Sequence, residues 1–185
     1  MSSGYLHGMK TPRLIRLMLS LGLLAGGAAV GATSEPHISV RLPQTSYNVR
    51  LSGRDIVAPH IQLHHSREEL RGRAFDTTVA LSLKEDRISG NIGGALVNLK
   101  VTTQGDTVKG EGGFLGRPAE VRFSPEALHV YVGGCTWPLK NTEGTYVGKR
   151  SCDRALEPPS EVVIPERFQQ LTPSEQVALL LLSLS

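Results

Sequence analysis

Val79-Ala80-Leu81-Ser82-Leu83-Lys84-Glu85-Asp86-Arg87-Ile88-Ser89-Gly90-Asn91-Ile92 decides the fold. Apolar residues at every second position put Val79, Leu81 and Leu83 on one face of a pleated strand. Lys84-Glu85-Asp86 then suits a tight turn, and Ile88 and Ile92 resume the alternation on a partner strand. The same motif recurs on either side. Leu70-Arg71-Gly72 and Val108-Lys109-Gly110 open strands in the way Ile88-Ser89-Gly90 does, while Val97-x-Leu99-x-Val101 and Val121-x-Phe123 form partners. Further breaks fall at Gly93-Gly94, Gln104-Gly105-Asp106 and Gly133-Gly134.

This pattern predicts an all-β fold, an antiparallel meander with strands near 70–75, 78–83, 87–92, 95–102, 107–114, 119–123, 127–132, 135–139 and 144–151. Upstream, His37–Leu42, Tyr47–Leu51 and His60–His65 read as weaker strands. The glycines at 72, 90 and 110 mark a degenerate repeat of hairpins. One hairpin cannot bury its own face, so the series curls into a barrel-like or two-layer sheet. Gly90 shares a face with Ile88 and Ile92, and Gly110 and Gly112 share one with Val108 and Phe114. Glycine on an apolar face implies a bend there or the close approach of something bulky.

A candidate for that bulky group follows Pro158-Pro159 and a polar connector. Thr172-Pro173-Ser174-Glu175 supplies an N-cap, a first-turn proline and a capping-box carboxylate, and Gln176-Val177-Ala178-Leu179-Leu180-Leu181-Leu182 continues the helix. With Leu184, apolar side chains surround nearly its whole circumference. Leaving them in water would cost roughly 1.5–3 kcal/mol per large side chain. The expectation is a C-terminal helix packed on the glycine-relieved sheet; a partner's groove and a membrane surface are the alternatives, and the helix is too short to span a bilayer.

At the other end, Lys10, Arg13 and Arg16 precede the apolar run Leu17–Leu24 and a small-residue stretch ending at Ala32, the layout of a secretory signal peptide cleaved after Ala32. Residues 1–8 add nothing to the charged region, and Met9-Lys10 makes a more natural start. The domain reading is therefore 1–32 signal, 33–157 β domain, and 158–185 linker plus helix. Taking Lys10, Arg13 and Arg16 from the 20 basic residues leaves 17 against 17 acidic ones, so the overall charge of +3 belongs to the signal. A neutral chain with interspersed charges is a poor nucleic-acid partner. The product is expected to be periplasmic or extracellular, with no stable membrane span after cleavage. Cys135 and Cys152, an even pair in an exported chain, favour a disulfide over a redox or metal pair, because neither Cys-x-x-Cys spacing nor a nearby His pair is present.

Chemistry-bearing constellations are sparse. His60, His64 and His65, with Glu68 and Glu69 beyond, are candidate metal ligands. Gly112-Gly113-Phe114-Leu115-Gly116-Arg117-Pro118 reads as a wide turn without the Lys-Ser/Thr of a phosphate loop. Candidate ligand-facing residues are Gly90, Gly110, Gly112, Arg117 and Trp137, with Trp137 expected to pack against the disulfide. Hydrolase and metalloprotease motifs are absent, aromatic residues are only 5%, and no catalytic residue or cofactor is nominated. The functional expectation is an exported, non-enzymatic binding or structural β module, holding an apolar ligand or meeting an envelope protein. The alternative is a small hydrolase or metal-dependent enzyme using the His60/His64/His65 segment with Glu68.

Overall fold

The computed structural model describes residues 35–66 and 68–185; the signal-peptide expectation lies outside them. The described residues form fourteen strands: β1 (His37–Arg41), β2 (Ser46–Ser52), β3 (Asp55–Ala58), β4 (Ile61–His65), β5 (Glu69–Ala74), β6 (Thr77–Lys84), β7 (Arg87–Ile92), β8 (Ala95–Gln104), β9 (Thr107–Phe114), β10 (Arg117–Phe123), β11 (Ala127–Val132), β12 (Cys135–Thr142), β13 (Thr145–Gly148) and β14 (Ser160–Val163). Each pairs antiparallel with its sequence neighbours, and β14 pairs with β1, so the meander closes into a barrel. The stretch read as a polar connector thus contributes β14, the closing strand.

Alternation decides the wall. Inward positions such as Val79, Leu81 and Leu83 are buried, whereas Lys84, Arg87, Lys100, Glu111 and Arg122 face out. A lipid-facing barrel has the opposite arrangement, an apolar band outside and polar groups within.

The helix α1 (Pro173–Leu184) does not lie against the outside of this wall. Every residue from Ser174 to Leu184 is buried, and hydrogen bonds tie its two ends to opposite rims of the barrel. It therefore runs through the lumen, nearest to β6–β11. Twelve residues make a rod about 18 Å long. Its start follows the sequence signature: the Thr172 hydroxyl accepts from the Glu175 amide, Glu175 Oε2 accepts from the Thr172 amide at 2.7 Å, and Pro173 occupies the first turn. A 3₁₀ turn, Glu166–Gln170, carries the chain over the rim, and its Phe168 is buried edge-on to Phe123 at 5.5 Å.

The glycines serve two separate purposes. At Gly72, Gly90 and Gly112, φ lies near +145°, and a Cβ would fall 2.1–2.2 Å from the Gln62, Ala80 or Asn98 carbonyl oxygen of the preceding strand. Each pairs with an inward leucine there, Leu63, Leu81 or Leu99. These are bends repeated on every second strand, the device that curves a sheet towards closure. The repeat therefore continues at Gly112 rather than Gly110. Gly110 instead faces the helix, where a Cβ would meet Val177 Cγ1 at 2.4 Å. The stretch from Gly112 to Pro118 is a tight turn rather than a wide one: β9 ends at Phe114, and Leu115-Gly116, both at positive φ, lead directly into β10.

Gly110→Ala is expected to cost about 1–3 kcal/mol by overpacking against Val177. Val177→Ala in the same chain should recover most of that loss, because it removes the two methyls in the way. Urea unfolding of the two single variants and the double variant checks this; strictly additive losses would contradict the contact.

Candidate functional site

The two mouths of the barrel differ, and the difference follows from where the helix enters and ends. At the entry mouth the polar first turn of α1 is tied to the rim. Ser174 Oγ donates to the Lys84 carbonyl, and Gln176 Nε2 donates to the carbonyls of Phe168 and Leu171 at 3.1 and 3.2 Å. Glu175 Oε1 sits 3.0 Å from His65 Nδ1, while His65 Nε2 lies 2.9 Å from the Gly53 carbonyl. Both ring nitrogens therefore lie within hydrogen-bond distance of oxygen atoms. Arg167 reaches the same carbonyl. These groups border an apolar cavity of about 60 Å³ walled by Leu51, Ile56, Leu70, Leu83 and Leu179.

The other histidines go elsewhere. His64 points outward to Asp55, 3.1 Å away, with both side chains mostly in solvent. His60 lies in the turn before β4, at the opposite mouth, roughly 17 Å along the strand from His65. The three do not converge, and no group of three His, Cys, Asp or Glu side chains among the described residues is arranged to hold a metal ion.

Outside the entry mouth, a shallow groove of about 600 Å³ runs beside the β6–β7 turn and Thr172-Pro173, bordered by Glu68, Lys84 and Glu85; the far mouth holds a concavity of different character. A cleft of about 340 Å³ lies beside the last turn of α1, between the β1–β2, β3–β4 and β5–β6 turns. Leu42, Ala58, Pro59, Ile61, Phe75 and Leu182 give it apolar walls, while Tyr47, His60, Ser183 and Ser185 supply polar groups. The Tyr47 hydroxyl donates to the Ser183 carbonyl, and burial pushes the phenol up, opposed by the charge of Arg150. Tyr47 therefore stays a neutral hydroxyl at physiological pH. Ser183 Oγ is buried with no partner among the described residues.

No protein-family model matches the chain, and no curated protein or solved structure shows significant similarity to it. The remaining sites must be read from geometry alone.

Beside the cleft, the disulfide Cys135–Cys152, with Cα atoms 5.4 Å apart, anchors the β13–β14 loop to the start of β12. That loop places the Arg150 guanidinium 5.0 Å from the centre of the buried Trp137 ring, a cation–π contact that sequence spacing did not signal. Arg150 Nε donates to Asp153 Oδ1 at 2.8 Å. A second groove of about 230 Å³ crosses this loop; there Arg150 is paired with Asp153, and Glu157 accepts from the Arg154 amide and from Gln44 Nε2. Of the other candidate ligand-facing residues, Gly90 and Gly112 are bends, Gly110 is covered by Val177, and Arg117 is exposed at a turn.

Hydrogen bonds from Arg150 hold the Asp153 carboxyl below its ordinary range, outweighing the upward push of burial. Its stabilisation is therefore complete above the unfolded value near ~4 and is lost as pH falls through the lower folded value. Asp153→Asn should cost about 1–2 kcal/mol at pH 7, discounted because Arg150 is partly exposed. The gap between the variant and the parent should close on acidification to about pH 2 in urea unfolding with the disulfide intact. A gap independent of pH would refute the pairing.

Proposed function

We propose that this chain is an exported, non-enzymatic β module with a binding or structural role in the cell envelope or outside the cell. The observation that carries the reading is that the protein's own helix, buried from Ser174 to Leu184, occupies the lumen, so the interior serves stability rather than turnover. The disulfide supports an oxidising compartment. Closure gives every strand a neighbour on both sides, so a partner would meet side chains at a mouth or on the outer wall rather than pair with a strand edge.

His65 beside Glu175 in a cavity is the feature that favours the alternative, a small hydrolase. Three facts weigh against it. The cavity has room for only a few water molecules, both imidazole nitrogens lie within hydrogen-bond distance of oxygen atoms, and Glu175 is held by the helix cap. A general base needs a free nitrogen within reach of its substrate. The pair is a tie between helix and rim.

Two measurements on protein purified from its host test the proposal. N-terminal sequencing should begin at Thr33, and a start before residue 25 would contradict cleavage. Chromogenic esters, phosphates and glycosides, with and without divalent metal ions, should show no turnover that disappears in His65→Gln; turnover lost in that variant would overturn the non-enzymatic reading.

A further inference from the structure

Resting on the binding reading above, we infer that the far-mouth cleft is a ligand site for a small, uncharged, amphipathic molecule with an aromatic or alicyclic body and one hydrogen-bonding group. Its volume of about 340 Å³ falls at the lower end of small-molecule sites, and its composition is theirs: apolar walls with a few polar groups gathered along one side. The polar side comprises Thr45, Ser46, the neutral Tyr47 hydroxyl, the His60 imidazole and the last turn of α1. No Asp, Glu, Lys or Arg side chain lines the cleft, so its walls favour an uncharged ligand over a charged one. The cleft is bounded by three hairpin turns and the last turn of α1, a concavity with the volume of a small-molecule site rather than an extended face for a protein partner.

Phe75 is the second observation. It stands at φ +54° in a two-residue hairpin turn, where both central positions need positive φ and Asn or Gly is the favoured residue. Leu115 and Glu143 take the same φ in other hairpins: Leu115 is packed against the core, and Glu143 is a polar side chain exposed to water. Phe75 differs from both in being an aromatic ring that is 37% exposed and forms the rim of the cleft. Fold stability does not account for an aromatic ring there. A ring waiting for an apolar face does.

The test uses the folded chain from Thr33 onward and the neutral fluorophore N-phenyl-1-naphthylamine, which has a fused aromatic body and one N–H donor. At pH 8, titration should show saturable 1:1 binding. Phe75→Asn gives the turn a favoured residue, so it should unfold at the same or a higher temperature while binding the probe at least fivefold more weakly. The anionic relative 8-anilinonaphthalene-1-sulfonate should bind at least tenfold more weakly than the neutral probe. No saturable binding, or equal binding by parent and Phe75→Asn, would overturn the site; equally tight binding of the sulfonate would overturn the ligand class. A dimer that light scattering shows to dissociate in Phe75→Asn would assign the cleft to a second copy and also overturn it. Turnover dependent on His65 would defeat the non-enzymatic reading while leaving the probe result intact, so the two failures can be told apart.

Discussion

A helix that is apolar around its whole circumference must be enclosed, and that requirement governs this structure. An ordinary surface helix buries one stripe and leaves the other to water; α1 has no face to leave. A flat or gently curved sheet could cover only part of it, whereas a closed barrel covers all of it. The dependence runs the other way too. An eight-stranded barrel is narrow enough for its own inward side chains to fill. Fourteen strands enclose a wider lumen, which a rod of about 10 Å diameter occupies. Helix and barrel are each other's core.

Other features follow from fitting the one inside the other. The bends at Gly72, Gly90 and Gly112 curve the wall, and Gly110 gives Val177 room to approach it. The polar first turn of α1 would be costly inside a hydrophobic lumen, so Ser174, Glu175 and Gln176 sit at the mouth and are bonded to rim carbonyls and to His65. Phe168 covers that mouth. At the opposite mouth Tyr47 ties the last turn of the helix beside a concavity.

Strands and helix were legible in the sequence because both rest on local rules. Period-two alternation marked β5–β13, and Thr172-Pro173-Ser174-Glu175 marked the start of α1 within a residue. The disulfide was legible from cysteine count and context. What escaped was long-range. Short β14 has too few residues to show a period, yet its pairing with β1 turns a meander into a barrel. Gly110 and Gly112 look alike on one strand face, but one clears a helix side chain and the other a carbonyl. The candidate site was hardest to read, because Tyr47, His60, Phe75 and Ser183 come from four separate stretches that only closure brings together. His60, His64 and His65 stood out by proximity in sequence, which an extended strand converts into distance.

The most direct test of the account is native-state hydrogen exchange of the α1 amides against those of the barrel strands. If helix and barrel form one core, the amides of Leu179–Leu182 exchange only through global unfolding, with the same free energy and denaturant dependence as the slowest amides of β8 and β9. Exchange of α1 through a smaller opening that leaves the strands protected would show a separable plug, and the claim that the barrel depends on its helix would fail.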